Sequence, residues 1–464
     1  MDRQQPIETG RGPQRLIGPV PPDKRVSMLT AIKAAQDNPM AIIPRAAYRE
    51  PVWSSNSFFG NAVLVSDPAG VKQVLLDKIA NYPKADMERD VLSAAFGEGL
   101  LTSEGEKWRS HRRIMAPSFD IRSLVSYVPA MAEQAQARAS AWAALPPGSY
   151  FDVADEMTAL TLQIIARTMF SSDAGEMGEL VGETLKRGQD QLNFTILDIL
   201  PIIGPWRVAR VMKRVHKTFS ALDGAIYRLI EARAKAPSES PRDLLDRLMA
   251  ARDGETGIGM TDQEVRDEVV IIFLAGHETT AVAMTFVWYL LSQHPQAEAK
   301  LHAELDSVLR GRAPTHADLA NLPYTRMVIE EAMRLYPPAP GLSARQAQAG
   351  DDICGHKVKK GQMVLVMPWV LHRHEKLWDN PLAFDPERFT QERNAERPRF
   401  AYLPFGGGPR ICIGAQLATM EASIILATLA QKFRLRLAPA QDIELQARIT
   451  LRPKNGIRMI LEPR

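Results

Sequence analysis

Cysteine is nearly missing from this chain, with two in 464 residues. Two thiols exclude a disulfide framework and any site built from several cysteines, such as a zinc finger or an iron–sulfur cluster. Cys354 and Cys412 could pair only with each other. A charge excess is also missing: 57 Lys and Arg face 54 Asp and Glu, a net +3, so nothing global points to nucleic acid. The N-terminus has no apolar core of a secretory signal. No early stretch approaches the roughly 20 apolar residues of a membrane span. These absences predict a soluble, cytoplasmic protein. There is no Gly-rich dinucleotide fingerprint, so no fused reductase is expected. Internal repeats and long low-complexity segments are missing too.

What remains is a chain that is 45% hydrophobic, ample for a large buried core. Asn61–Ser66 reads as a strand and Pro68–Leu76 as a short helix. From Glu104 to about residue 300 the pattern is mainly helical. Asp351–Pro368 alternates and turns at Gly355 and Gly361, which predicts short strands. Strands return from Phe433. The fold class is therefore mainly α with small β-sheets. A single domain, 1–464, is expected, with its β-rich part at about 40–80 and 340–375 plus the C-terminal strands.

Val269–Leu291 is the longest apolar element. His277, Glu278, Thr279 and Thr280 sit in its middle, where they would be costly in lipid. Thr261 and Glu264 form a capping box at its start. A buried core helix with one polar notch is expected.

Phe405-Gly-Gly-Gly-Pro-Arg-Ile-Cys-Ile-Gly414 is the most informative stretch. Three glycines allow a tight hairpin and close approach to a flat ligand. Ala415–Leu429 has helical periodicity, which puts Cys412 at a helix N-terminus. There the dipole and free N–H groups favour a thiolate. A thiolate without partners cannot make a zinc site, but it can be the axial ligand of a haem iron. The ten residues resemble the cytochrome P450 signature Phe-x-x-Gly-x-Arg-x-Cys-x-Gly at every fixed position. That resemblance makes Cys412 the metal ligand, packs Phe405 over its sulfur, places Gly414 in the loop and sets Arg410 on a haem propionate.

Three further motifs resemble the family in its order. Glu331-x-x-Arg334, followed by Tyr336-Pro-Pro, resembles its Glu-x-x-Arg pair. Arg388 of Asp385-Pro-Glu-Arg388-Phe would complete that structural triad. Ala275-Gly-His-Glu-Thr-Thr280 resembles the oxygen-activation motif. By it Thr279 and Glu278 would be catalytic, relaying protons to bound oxygen. Trp108-Arg-Ser-His-Arg112 resembles the propionate-binding Trp-x-x-x-Arg, and Arg345 stands where many members supply another propionate ligand. The resemblance implies the family's fold, with haem b between the long central helix and the C-terminal helix that follows the cysteine hairpin. It is closest to the fatty-acid-hydroxylase-like group.

The implied function is monooxygenation of a lipophilic substrate, by hydroxylation or epoxidation, with O2 and NAD(P)H-derived electrons. A peroxide-driven peroxygenase and a non-catalytic haem protein are the alternatives, and the Glu278–Thr279 pair argues against both. The partner would be a ferredoxin or flavodoxin with its reductase, and the protein a monomer. Lys107, Arg109, His111, Arg112 and Arg113 make one helix basic, and Arg109 and Arg113 are candidates for docking that partner. Phe96, Leu100, Leu101, Ala275, Ala339, Gly341 and Leu342 are the expected pocket residues. Their small or apolar character leaves a fatty acid, terpenoid, steroid or alkyl chain open. Leu192–Trp206 is apolar and then basic, a channel roof or a site of peripheral membrane contact.

Overall fold

The longest apolar stretch becomes one helix, Asp262–Gln293. Its capping box forms at the first turn. The Glu264 N–H donates to the Thr261 hydroxyl at 3.3 Å, and the Thr261 N–H donates to the Glu264 carboxylate at 2.9 Å. The helix stops at His294 because Pro295 opens the next one, Pro295–Leu309. Among the described helices only this one is long and apolar enough to cross a membrane. Yet 78% of its most apolar window is buried inside the protein, so it is a core helix.

The computed structural model describes residues 7–9, 12–14, 16–23, 26, 38–57, 60–146, 148–171, 180, 184, 204–237, 240–241, 243–447 and 449–464. Most of the apolar stretch Leu192–Trp206, up to residue 203, lies outside them. The chain divides into two compact units. The first comprises Met1–Ala85, Ala135–Thr158 and Thr279–Arg464; the second comprises Asp86–Gln134 and Ala159–Glu278.

All described strands belong to the first unit. Its four-stranded sheet runs Val52–Ser57, Gly60–Val65, Met363–Leu365, Arg345–Gln346, and the central pair is parallel with Ala62 opposite Met363. Val63, Val65, Val364 and Val366 bury one face of it against Val71, Val74, Leu75, Phe400 and Leu403. The expected helix at Pro68–Leu76 is an α-turn, Pro68–Lys72, followed by a π-turn, Gln73–Asp77. A second sheet joins Phe433–Leu437 and Tyr150–Asp152 to the two edges of Arg458–Pro463. The Ala415–Leu429 helix has the bounds its periodicity predicts, and its residues from Met420 onward are all buried.

The described part of the second unit is helical. Gly105–Met115 and Gly204–Lys235 join the front half of Asp262–Gln293. Phe170 stacks on Phe273 at 5.1 Å between ring centroids. Arg233, nearly buried, is neutralised by Asp243 at 2.9 Å and Asp246 at 2.7 Å. Mainly helical structure with small sheets is thus the fold class.

Candidate active site

Gly406 and Gly408 both take positive φ, 74° and 69°. At Gly408 a side chain is excluded twice over, because a Cβ would lie 2.0 Å from the Leu75 carbonyl oxygen. Gly407 faces Phe400 and Leu403 so closely that a Cβ would press on both, at 3.2 and 3.3 Å. The loop closes with the Cys412 N–H donating to the Phe405 carbonyl at 2.9 Å. Cys412 then stands exposed, two residues ahead of the Gly414 cap of the Ala415–Leu429 helix. Cys354 is also a free, exposed thiol, so the two cysteines are not paired. Arg410 is half-buried in the same turn. Among the described residues no three His, Cys, Asp or Glu side chains converge as metal ligands. A single accessible thiol beside a cation, on a loop pressed flat by glycine, fits a group that brings its remaining ligands with it. Haem is such a group.

Behind this loop the structure brings Glu331, Arg334 and Arg388 together. Arg334 donates from Nε and Nη2 to the two carboxylate oxygens of Glu331, at 2.6 and 2.8 Å. Arg388 Nε lies 3.4 Å from Glu331 Oε1. The Asp385 N–H also donates to that oxygen, at 2.9 Å. Arg334 is wholly buried, and its other donors reach the carbonyls of His372, Pro381 and Ala383. His372 passes the connection on, since its Nε2 accepts from the Leu403 N–H at 2.8 Å. Burial holds that ring's pKa well below its usual value, so it is neutral and available as an acceptor. Arg334 thus anchors the segment that leads into the cysteine loop.

Burial along the Asp262–Gln293 helix is continuous over residues 267–274 and again over 280–291. It breaks at Ala275, which is exposed, and at Gly276, Glu278 and Thr279, which are half-buried. The acid and the hydroxyl therefore sit on the accessible stretch of a core helix. The second unit supports this notch from behind. Thr161 donates to the His277 carbonyl at 2.9 Å, and His277 Nδ1 contacts the Phe273 carbonyl at 2.6 Å. Burial lowers the His277 pKa and keeps its ring neutral. Gly276 faces Ile165, whose Cδ1 would be 3.3 Å from an added Cβ. Close helix packing is therefore one reason for a glycine here.

Trp108 and Arg112 share one face of Gly105–Met115, both half-buried. The rest of that basic helix is less available than its sequence implies. His111 is buried, with Nδ1 2.6 Å from Glu268 and Nε2 3.3 Å from Glu264. Lys107 pairs with Glu98 at 2.8 Å and Arg109 with Glu106 at 3.1 Å. Arg113 is bound to the buried Asp253 at 2.9 Å, which withdraws it from docking. Arg345 is buried in its strand, with Nη1 3.5 Å from the Tyr82 carbonyl.

Of the expected pocket residues, Ala275 is exposed, while Leu100, Leu101, Ala339, Gly341 and Leu342 are half-buried. Phe96 corrects the expectation. It is 1% exposed, so its ring is packed in the core rather than presented on an open wall. The turn that follows it is pinned. Gly97 has φ 84° because a Cβ there would collide with the Asp267 carboxylate, which accepts from the Glu98 N–H at 2.9 Å.

Three residues near the site escape sequence reasoning: Thr161, Ile165 and Glu421. Glu421 alone left a signal, as an acid in the otherwise apolar Ala415–Leu429 helix. It is buried, and burial pushes its pKa up to about 8.

The family model for cytochrome P450 matches residues 19–460. Cyclooctatin synthase of Streptomyces melanosporofaciens is 37% identical, over 86% of this chain and 85% of its own length. Cyclooctat-9-en-7-ol 5-monooxygenase of the same organism is also 37% identical, over 82% of each. The heme domain of cytochrome P450DA superposes with a TM-score of 0.82 at 26% identity, covering 97% of this chain and 98% of that one. With its lone accessible thiol in the glycine loop and an acid–alcohol notch on the core helix, the chain belongs to the cytochrome P450 family and is a haem-thiolate monooxygenase.

Proposed function

We propose that this monooxygenase acts on a lipophilic, largely hydrocarbon substrate, by hydroxylation or epoxidation. Its electrons would come from NAD(P)H through a separate ferredoxin or flavodoxin and its reductase. One observation carries the reading: burial of the core helix is interrupted at Ala275–Thr279, where Glu278 and Thr279 are accessible. A haem protein that only bound ligands would not need an acid and an alcohol there. A peroxide-driven enzyme would receive its protons with the oxidant.

In this reading the haem, when bound, supplies oxygen activation, and Cys412 is its axial ligand. Arg410, Trp108, Arg112 and Arg345 would neutralise the propionates, because guanidinium and indole N–H groups all donate to carboxylates. Thr279 would hold a proton at its Oγ1, and Glu278 would resupply it. Leu100, Leu101, Ala339, Gly341 and Leu342 would orient the substrate and exclude bulk water. The relatives' names describe products and alcohols of a cyclic hydrocarbon, which supports a terpenoid-like skeleton over a fatty acid. We place the protein in the cytoplasm, acting as a monomer.

The test is stepwise. The reduced protein should give a red-shifted Soret band with CO. Lipophilic polycyclic alcohols should shift the ferric spin state more strongly than fatty acids of equal carbon number. Substrate-dependent NAD(P)H consumption with a reconstituted ferredoxin system should yield oxygenated product. A normal Soret position would defeat the reading. Turnover with hydrogen peroxide but not with O2 and the reductase would replace it by the peroxygenase.

A further inference from the structure

The Ala415–Leu429 helix is the apolar element into which Cys412 leads. Leu417, Ile424 and Ile425, which are its neighbours one turn either side of Glu421, are all buried hydrophobics. An acid at that position is an energetic liability, and a leucine would pack there without desolvating a carboxyl. Glu421 nevertheless lies 5% exposed, hydrogen-bonded to Thr280. Its Oε1 has no hydrogen-bond partner among the described residues. No charged group among the described residues bears on it; burial and the Thr280 hydroxyl are the two influences.

Thr280 is equally buried and directly follows Thr279. Hydroxyls elsewhere in these helices satisfy themselves locally: Thr285, Thr419 and Thr428 each donate to the carbonyl four residues back, at 2.7 to 2.9 Å. Thr280 has a partner on another helix. The bond therefore joins the helix that starts beside the thiolate to the residue next to the expected proton-relay hydroxyl.

We propose that Glu421 is a positioning residue for oxygen chemistry: its buried carboxyl holds Thr280 and thereby fixes the backbone and side-chain orientation of Thr279. This rests on the monooxygenase reading. The carboxyl stays protonated through neutral pH, so the link carries no charge into the site. It also offers a donor as well as acceptors, which a carboxylate does not.

Four proteins test this as holoenzymes: wild type, Glu421→Gln, Glu421→Leu and Thr280→Val. The infrared difference between wild type and Glu421→Gln should contain the carbonyl stretch of a protonated carboxyl, bleaching as the pH rises through about 8. Glu421→Leu should lower the ratio of product to NAD(P)H consumed by about tenfold, with peroxide released instead and the first reduction unchanged. Thr280→Val should match it, and the double variant should be no worse than either single one. Glu421→Gln, which keeps the hydrogen bond, should restore the ratio and remove the alkaline limb of its pH profile.

A fully coupled Glu421→Leu enzyme would overturn the proposal, as would additive effects in the double variant or a missing carboxyl band. The infrared band and the additivity of thermal stability are read without turnover. They test the bond independently, whereas an unshifted wild-type Soret band with CO would sink the monooxygenase reading itself. Should Glu421→Leu fail to fold, Thr280→Val and the Glu421→Gln pH profile decide.

Discussion

Arg113 grips Asp253 with two of its nitrogens, Nη2 at 2.9 Å from Oδ2 and Nε at 3.1 Å from Oδ1. The guanidinium and the Ser110 hydroxyl hold that carboxyl well below the usual carboxylate range. Two exposed-looking arginines on one helix thus have different duties. Arg113→Glu should set two carboxylates against each other and lower the melting temperature by roughly 5 °C or more. Arg109→Glu, paired only with the exposed Glu106, should leave it nearly unchanged. If the helix docks an acidic partner, Arg109→Glu should also slow reduction and flatten its dependence on ionic strength. Stopped-flow reduction across a salt series measures this, and equal melting temperatures for the two variants would refute the division of labour.

Arg334 is the second case. Its guanidinium serves one carboxylate and three carbonyls at once, in full burial. Removing Glu331 as Glu331→Ala leaves an unpaired buried cation and should cost about 3–5 kcal/mol. Arg334→Lys should not rescue folding, because an ammonium cannot span that fork. Denaturant unfolding and haem retention give the readout. A Lys variant with wild-type stability would contradict the account.

Two glycines should part company. Gly408→Ala would drive a methyl into the Leu75 carbonyl from a left-handed backbone, so the thiolate loop must move. Loss of haem and of the red-shifted CO spectrum is expected. Gly276→Ala meets only the flexible end of Ile165 and gains helix propensity. Its stability should change by less than about 1 kcal/mol in either direction, and Ile165→Val should shift it upward.

His111 supplies the pH dependence. Burial alone would lower its pKa, but hydrogen bonds to Glu268 and Glu264 outweigh that and raise it above its ordinary 6.5. A group whose folded pKa is raised stabilises fully below its unfolded pKa, and the gain fades as pH climbs through the folded value. The stability difference between wild type and His111→Gln should therefore be largest below about 6.5 and shrink toward alkaline pH. A difference that grows from pH 6 to pH 9 would show the opposite linkage.

Much of this was legible because the signals were local. The helix at Ala415–Leu429, the capping box at Thr261 and Glu264, and the Glu331–Arg334 pair all depend on residues a few positions apart. What escaped depends on partners far along the chain. Arg113 looked like free charge because Asp253 stands 140 residues away. Phe96 looked like a pocket wall because its burial depends on how distant segments close over it. Glu421 was visible as an anomaly, yet its meaning required Thr280. Sequence spacing reports what a helix turn brings together; it is silent on what the packing of two helices brings together.

The parallel pairing of Ala62 with Met363 has a consequence for biosynthesis. Every segment of the helical second unit has left the ribosome once Glu278 is made. The first unit waits for nearly the whole polypeptide: its first strands need Met363–Leu365, and Tyr150–Asp152 needs Arg458–Pro463. For that interval Val63 and Val65 are apolar strand residues with no sheet to join. Slowed synthesis or lowered growth temperature should therefore raise the soluble yield, by shortening the queue of nascent chains that expose those edges together.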